Sequence, residues 1–159
     1  MTDPAKDAEP IKVLANLAGQ GTDEFADAAA AAGLEDGPRV IGRGLAAADY
    51  DNDGHVDIAV NTIGGSLVLL RNTGAAGHWL EVQLSTFSPG ATVTAVLPDG
   101  RTLVREVHAG SSYLSSEDPR VHFGLGQAAR VSELVVRFPG GAETRLVNIA
   151  ADQIVAVTP

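Results

Sequence analysis

The stretch Asp49-Tyr50-Asp51-Asn52-Asp53-Gly54-His55-Val56-Asp57 decides how the rest of the chain is read. Three aspartates fall at every second position, a glycine follows the third, and a fourth aspartate comes three residues later. Carboxylates crowded in this way repel one another. At about 4 Å each pair costs on the order of 1 kcal/mol in water and about 4 kcal/mol at an effective dielectric of 20. A folded chain carries such a set either splayed in water or wrapped around a cation. The glycine favours wrapping, because it permits the sharp turn that a closed oxygen cage needs.

With Asp49 as loop position 1, Asp51 and Asp53 take positions 3 and 5, and Gly54 makes the turn at 6. His55 then offers its backbone carbonyl at position 7, and Asp57 adds a fourth carboxylate at 9, directly or through water. This all-oxygen, flexible set suits Ca2+ better than Mg2+, which demands near-octahedral geometry. An EF-hand is excluded twice over. Position 12 is Val60, where that motif requires a bidentate glutamate, and both flanks read as strands rather than helices. The plain alternative is a solvated acidic turn, since Asp, Asn and Gly are ordinary turn formers. Four aspartates and a glycine in this register exceed what a turn requires.

Outward from the loop, Gly44–Ala48 leads in, and Val56-Asp57-Ile58-Ala59-Val60 leads out with alternating apolar residues, giving strand, loop, strand. Gly64-Gly65 turns the chain into a strand over Ser66–Arg71, and residues 72–77 mark a boundary between two units. Upstream, residues 1–10 are polar, carry two prolines and are expected to be a disordered leader. They lack the hydrophobic core of a signal peptide. Ile11–Leu17 reads as a short strand, and the alanine run Ala28–Ala32 followed by Gly33 favours a short helical turn.

Downstream the pattern is a run of hairpins. Leu80, Val82 and Leu84 alternate with Trp79, Glu81 and Gln83, and Ala91–Leu97 and Arg101–Val107 flank a Pro98-Asp99-Gly100 turn. Val121, Phe123 and Leu125 form another alternating set, as do Leu134, Val136 and Phe138. Pro139-Gly140-Gly141 turns into a strand over Ala142–Val147, and Ile154–Val157 closes the chain. Short strands separated by turn chemistry indicate an antiparallel sandwich or barrel, so the chain is mainly β.

Composition narrows the function classes. Hydrophobic residues make up 45% of the 159, which suits a packed core rather than a disordered tail. A net charge of −9 argues against nucleic acid and anionic membrane surfaces as partners. There is no cysteine, hence no disulfide, cysteine–zinc site or thiol nucleophile, and no apolar run approaches the roughly 18 residues of a membrane span. His55, His78, His108 and His122 sit in separate segments without ligand spacing, and no nucleophile elbow accompanies them. Gly124-Leu125-Gly126 is a bend rather than a nucleotide cradle, because no Gly-x-Gly-x-x-Gly completes it. Trp79 and Tyr113 suit packing better than a ligand platform.

The residues from Gly42 to Val60 resemble a VCBS/FG-GAP repeat, the calcium-loop blade of integrin-alpha-like propellers, and Val13–Asn16 and Phe25–Asp27 resemble outer parts of the same blade. Arg105-Glu106-Val107, Gly110–Ser116, Asp118–Gly126 and Val136–Gly141 resemble the ASPIC/UnbV domain of the cartilage acidic protein family. The resemblance implies a propeller-blade-like antiparallel sheet with a calcium loop over 11–74, followed by an ASPIC/UnbV-like β domain over 78–159. It also implies secretion. A single blade needs neighbours to bury its faces, so upstream blades, the downstream domain or a second copy are expected to cover it.

The expected function is a non-enzymatic, calcium-clamped module for extracellular binding or adhesion, with Asp49, Asp51, Asp53, His55 and Asp57 as metal ligands. Its partner would be a protein or a glycan, with no membrane insertion. The alternatives are a homo-oligomerising assembly module, and an accessory protein or enzyme of secondary metabolism, which the UnbV name alone suggests.

Overall fold

The computed structural model describes residues 4–17, 24–74 and 77–159. One helical turn, Pro4–Asp7, is followed by β1 (Glu9–Pro10), β2 (Leu14–Asn16), β3 (Phe25–Asp27), β4 (Arg39–Val40) and β5 (Gly42–Ala48). Next come β6 (Asp57–Thr62), β7 (Val68–Leu70), β8 (His78–Leu84), β9 (Thr92–Val96) and β10 (Thr102–Glu106). β11 (Val121–Gly126), β12 (Arg130–Arg137), β13 (Glu143–Ala150) and β14 (Gln153–Val157) complete the chain. The chain is mainly β, as its alternating patterns require.

Two compact units emerge: Met1–Gly44 with Val60–Val68, and Leu45–Ala59 with Leu69–Pro159. The acidic loop groups with the C-terminal strands in the second unit.

In the first unit, β1 pairs with β4 and β2 with β3, both antiparallel. Pro4–Asp7 and β1 lie within the stretch expected to be a disordered leader. The alanine run makes a single turn: the Ala32 N–H donates to the Ala28 carbonyl and Gly33 closes it at φ +74°. Asp27 begins that turn by accepting the Ala29 N–H. The expected strand over 11–17 shortens to β2, and residue 18 onward to 23 lies outside the described residues. Val60 is the buried hydrophobic side chain among this unit's described residues, whereas Leu14, Phe25, Ile63 and Leu67 are exposed.

The second unit contains two sheets, ordered β10-β9-β12-β13 and β11-β8-β14, with one shared core. Leu80 and Val82 from β8 meet Val93 and Ala95 from β9, Val121 and Phe123 from β11, and Leu134 and Val136 from β12 in that core. The sheets stay open, so the sandwich form of the expectation holds and the barrel form does not. Both predicted turns close as their residues dictate. The Gly100 N–H donates to the Leu97 carbonyl and the Gly141 N–H to that of Phe138, with φ at +87° and +88°.

Two strands differ from the sequence reading. β13 continues past Val147 to Ala150, because Ile149 and Ala150 keep pairing with Val131 and Arg130 of β12; Asn148, just before them, is left-handed, φ +54°, which asparagine tolerates better than most residues. β14 pairs parallel to β8, since the turn at Ala151-Asp152 carries the chain from the four-stranded sheet into the other.

Candidate functional site

The acidic loop lies between β5 and β6, and the backbone itself dictates its shape. Both oxygens of the Asp49 carboxylate accept backbone N–H groups from later in the loop, Asp53 at 3.0 Å and Gly54 at 2.7 Å. Asp57 accepts from Tyr50 at 3.2 Å and from Asn72, beyond β7, at 2.7 Å. These bonds draw the loop's first and last aspartates inward until they are 1% and 2% exposed. Asn52 at φ +58° and Gly54 at φ +90° supply the left-handed residues the tight path needs.

One carboxylate oxygen from each of Asp49, Asp51 and Asp57 lies within 4.8 Å of the others. Each such oxygen has two lone pairs, so one N–H bond leaves it able to take part in coordination. The structure thus brings together three of the predicted ligands. Asp53 is directed elsewhere: its Oδ1 accepts both the His55 N–H and the His55 Nδ1–H, and its Oδ2 accepts from Arg71. These bonds hold the Asp53 carboxyl below the usual range, the His55 backbone N–H foremost, and the Asp53 hydrogen bond raises the His55 imidazole in turn. Arg71 also reaches Asp51 Oδ2 at 2.7 Å, so one guanidinium spans loop positions 3 and 5.

The loop is held from outside by residues of β8 and β11 and the turn before β11. Arg120 Nη2 donates to the Asp49 carbonyl at 2.7 Å, and its Nη1 to Asn52 Oδ1 at 2.5 Å. The same guanidinium is braced by Asp118 Oδ2, and its Nη1 lies 2.7 Å from Glu81 Oε2. Next to it, His122 Nε2 lies 2.9 Å from the Gly54 carbonyl; a carbonyl only accepts, so this nitrogen carries the proton. The His122 ring stacks on Trp79 at 6.4 Å between centroids and 7° between planes. Trp79 in turn covers Gly54, where an added Cβ would stand 2.2 Å from the indole.

Glu81 is the consequential surprise. Strand alternation puts it on the face opposite Leu80 and Val82, yet it is 1% exposed. Together with Asp49 and Asp57 it makes up the buried charged residues among those described. Burial raises its carboxyl from 4.5 to about 7, against the lowering effect of Arg120. Arg120 and Asp118 also form an internal pair, with the Arg120 side chain 16% exposed and that of Asp118 18%. Nothing in a period-2 pattern distinguishes an outward glutamate in water from one covered by a distant loop. Proximity of the unusual Asp118–Gly126 motif to the acidic loop was likewise invisible in linear sequence.

The other sequence candidates separate. Ser111 bonds Glu117, Tyr113 is exposed, His78 pairs with Asp152 at 2.7 Å, and Arg105 lies over the Phe123 ring. A cavity of about 220 Å³ beside Arg120 is lined by Glu81, Glu106, His108, Glu117 and Asp118, among others.

The family match falls on the C-terminal strands. Residues 82–159 match the family described as ASPIC and UnbV. This ASPIC/UnbV-like segment contains Arg120, Asp118 and His122, and ends with β14. Over 112 residues the chain is 30% identical to cartilage acidic protein 1 of Mus musculus, covering 65% of this chain and 17% of that protein. It is 32% identical over 109 residues to the Xenopus tropicalis protein of the same name, covering 63% and 16%. The Homo sapiens protein gives 30% over 112 residues, 65% and 17%. The chain thus spans less than a fifth of the length of the curated relatives it matches.

Proposed function

We propose that this chain is a calcium-clamped, non-enzymatic β module serving extracellular binding or adhesion, with an ASPIC/UnbV-like sandwich as its core. The convergence of Asp49, Asp51 and Asp57 carries this reading: three like charges within 4.8 Å, two of them buried, form an arrangement that a hard cation stabilises. Asp49, Asp51 and Asp57 would hold the ion. Asp53 and the His55 carbonyl would join by local rearrangement, because the flexible, high coordination number of Ca2+ tolerates it. The ion would supply charge neutralisation and rigidity, not chemistry. The likeness to cartilage acidic proteins supports the extracellular setting, and the resemblance of residues 42–60 to an FG-GAP blade supports the loop's role.

Calorimetric titration of Ca2+ into metal-free protein tests the proposal. Heat of binding to one site, lost in Asp51→Asn, supports it; no binding by the wild type refutes it.

A second reading, self-association, is favoured by the exposed Leu14, Phe25, Ile63 and Leu67 of the first unit, which buries little of its own apolar surface. Light scattering at increasing concentration decides it, and a uniform monomer counts against it.

A further inference from the structure

We infer that Arg120 is a positioning residue for the acidic loop, and that the Asp118–His122 segment of the ASPIC/UnbV-like sandwich serves to hold a cation site contributed by residues 68 to 71 positions earlier in the chain. The inference rests on the cation reading of the loop. It concerns a residue that is no ligand and lies outside the predicted site.

An oxygen cage must be kept closed against the mutual repulsion of its carboxylates before the ion arrives. Arg120 does this at the loop's first turn, where its two terminal nitrogens reach the Asp49 carbonyl and the Asn52 side chain. A guanidinium presents several donors in a fixed planar fork, which a lysine ammonium cannot reproduce. The fork is itself immobilised. Asp118 takes Nε and Nη2 from one side, and Glu81 stands 2.7 Å from Nη1. One cation between two carboxylates adds no net positive charge when Glu81 is ionised, so the brace does not repel an incoming Ca2+. His122 and Trp79 fix the next part of the loop through the Gly54 carbonyl and the glycine's bare Cα. The sandwich therefore contacts the loop at residues 49, 52 and 54, while one carboxylate oxygen from each of Asp49, Asp51 and Asp57 lies within 4.8 Å of the others.

Three variants of the full chain test this. Arg120→Lys keeps the charge and loses the fork. Arg120→Met with Glu81→Gln removes the guanidinium together with the buried Glu81 charge, so that Glu81 is not left buried and unpaired. Asn52→Gly keeps the left-handed backbone and removes only the side chain that Arg120 reaches. Calcium affinity is read by calorimetric titration, terbium luminescence sensitised through Trp79 reports the loop, and melting in EGTA reports the calcium-free fold. The expected result is a calcium Kd about tenfold weaker in Arg120→Lys and in the double variant, from loss of charge-assisted hydrogen bonds. Asn52→Gly should weaken it about threefold with an unchanged EGTA melt. Arg137→Lys, whose partner is Glu143 at the surface, should match the wild type. Wild-type binding with an unchanged Kd in Asn52→Gly and in whichever Arg120 variant folds overturns the inference. Absence of binding in the wild type itself instead overturns the cation reading, so the two failures are distinct.

Discussion

The Glu81 carboxylate lies 2.7 Å from the Arg120 guanidinium, with both side chains largely shielded from solvent. A glutamate between two core-facing residues of β8 thereby becomes an internal carboxyl group, and its pKa rises from 4.5 to about 7 because burial outweighs the arginine. The sign follows from linkage. Between about pH 4.5 and pH 7 the folded protein holds a proton on Glu81 that the unfolded chain releases, so this group's contribution to stability falls as pH rises through that window. Glu81→Gln, which cannot ionise, should therefore be less pH-sensitive than the wild type from pH 4.5 to 7. Denaturant midpoints across that range check it, and parallel profiles for the two proteins contradict it.

Gly54 combines φ +90° with a site where a Cβ would enter the Trp79 ring. Gly54→Ala should cost about 2 kcal/mol from backbone strain alone, lowering the melting temperature by about 4–8 °C in EGTA. Trp79 fluorescence should change as the indole is displaced. An unaltered melt and spectrum would show that the indole does not pack on the loop.

Arg71 neutralises Asp51 and Asp53 through a half-exposed side chain. A cation competes with it for the same carboxylates. Arg71→Gln should bind Ca2+ about two- to fivefold more tightly and lose at most about 1 kcal/mol in EGTA, the scale of an exposed ion pair. Titration calorimetry on the variant measures both the direction and the size. Weaker binding would mean that Arg71 supports the loaded loop instead of competing for it.

The sequence disclosed the site's acidic centre but not its enclosure. Asp49, Asp51 and Asp57 were legible because alternating aspartates ending in glycine are a local pattern. Asp53 fits that pattern equally well, yet the His55 N–H two residues on captures it, a short-range bond common for aspartate in turns. The core was legible at Leu80, Val82, Val121, Phe123, Leu134 and Val136, where alternation and burial coincide. It was not legible at Glu81, which is buried and meets Arg120 from the turn before β11. Nor was it at Asn148, which reads as a strand end but continues β13. The parallel pairing of β14 lay equally beyond reach, since strand direction is set by which sheet the chain enters.

The most direct test of the central claim is thermal melting of the wild type and Asp51→Ala in excess Ca2+ and in EGTA. Binding to the folded state alone stabilises by about 2.7 kcal/mol at a hundredfold excess over Kd. The wild type should therefore melt several degrees higher in Ca2+ than in EGTA, and Asp51→Ala should melt at one temperature in both. Identical wild-type melts in Ca2+ and EGTA, unchanged by Asp51→Ala, would contradict calcium binding at this loop.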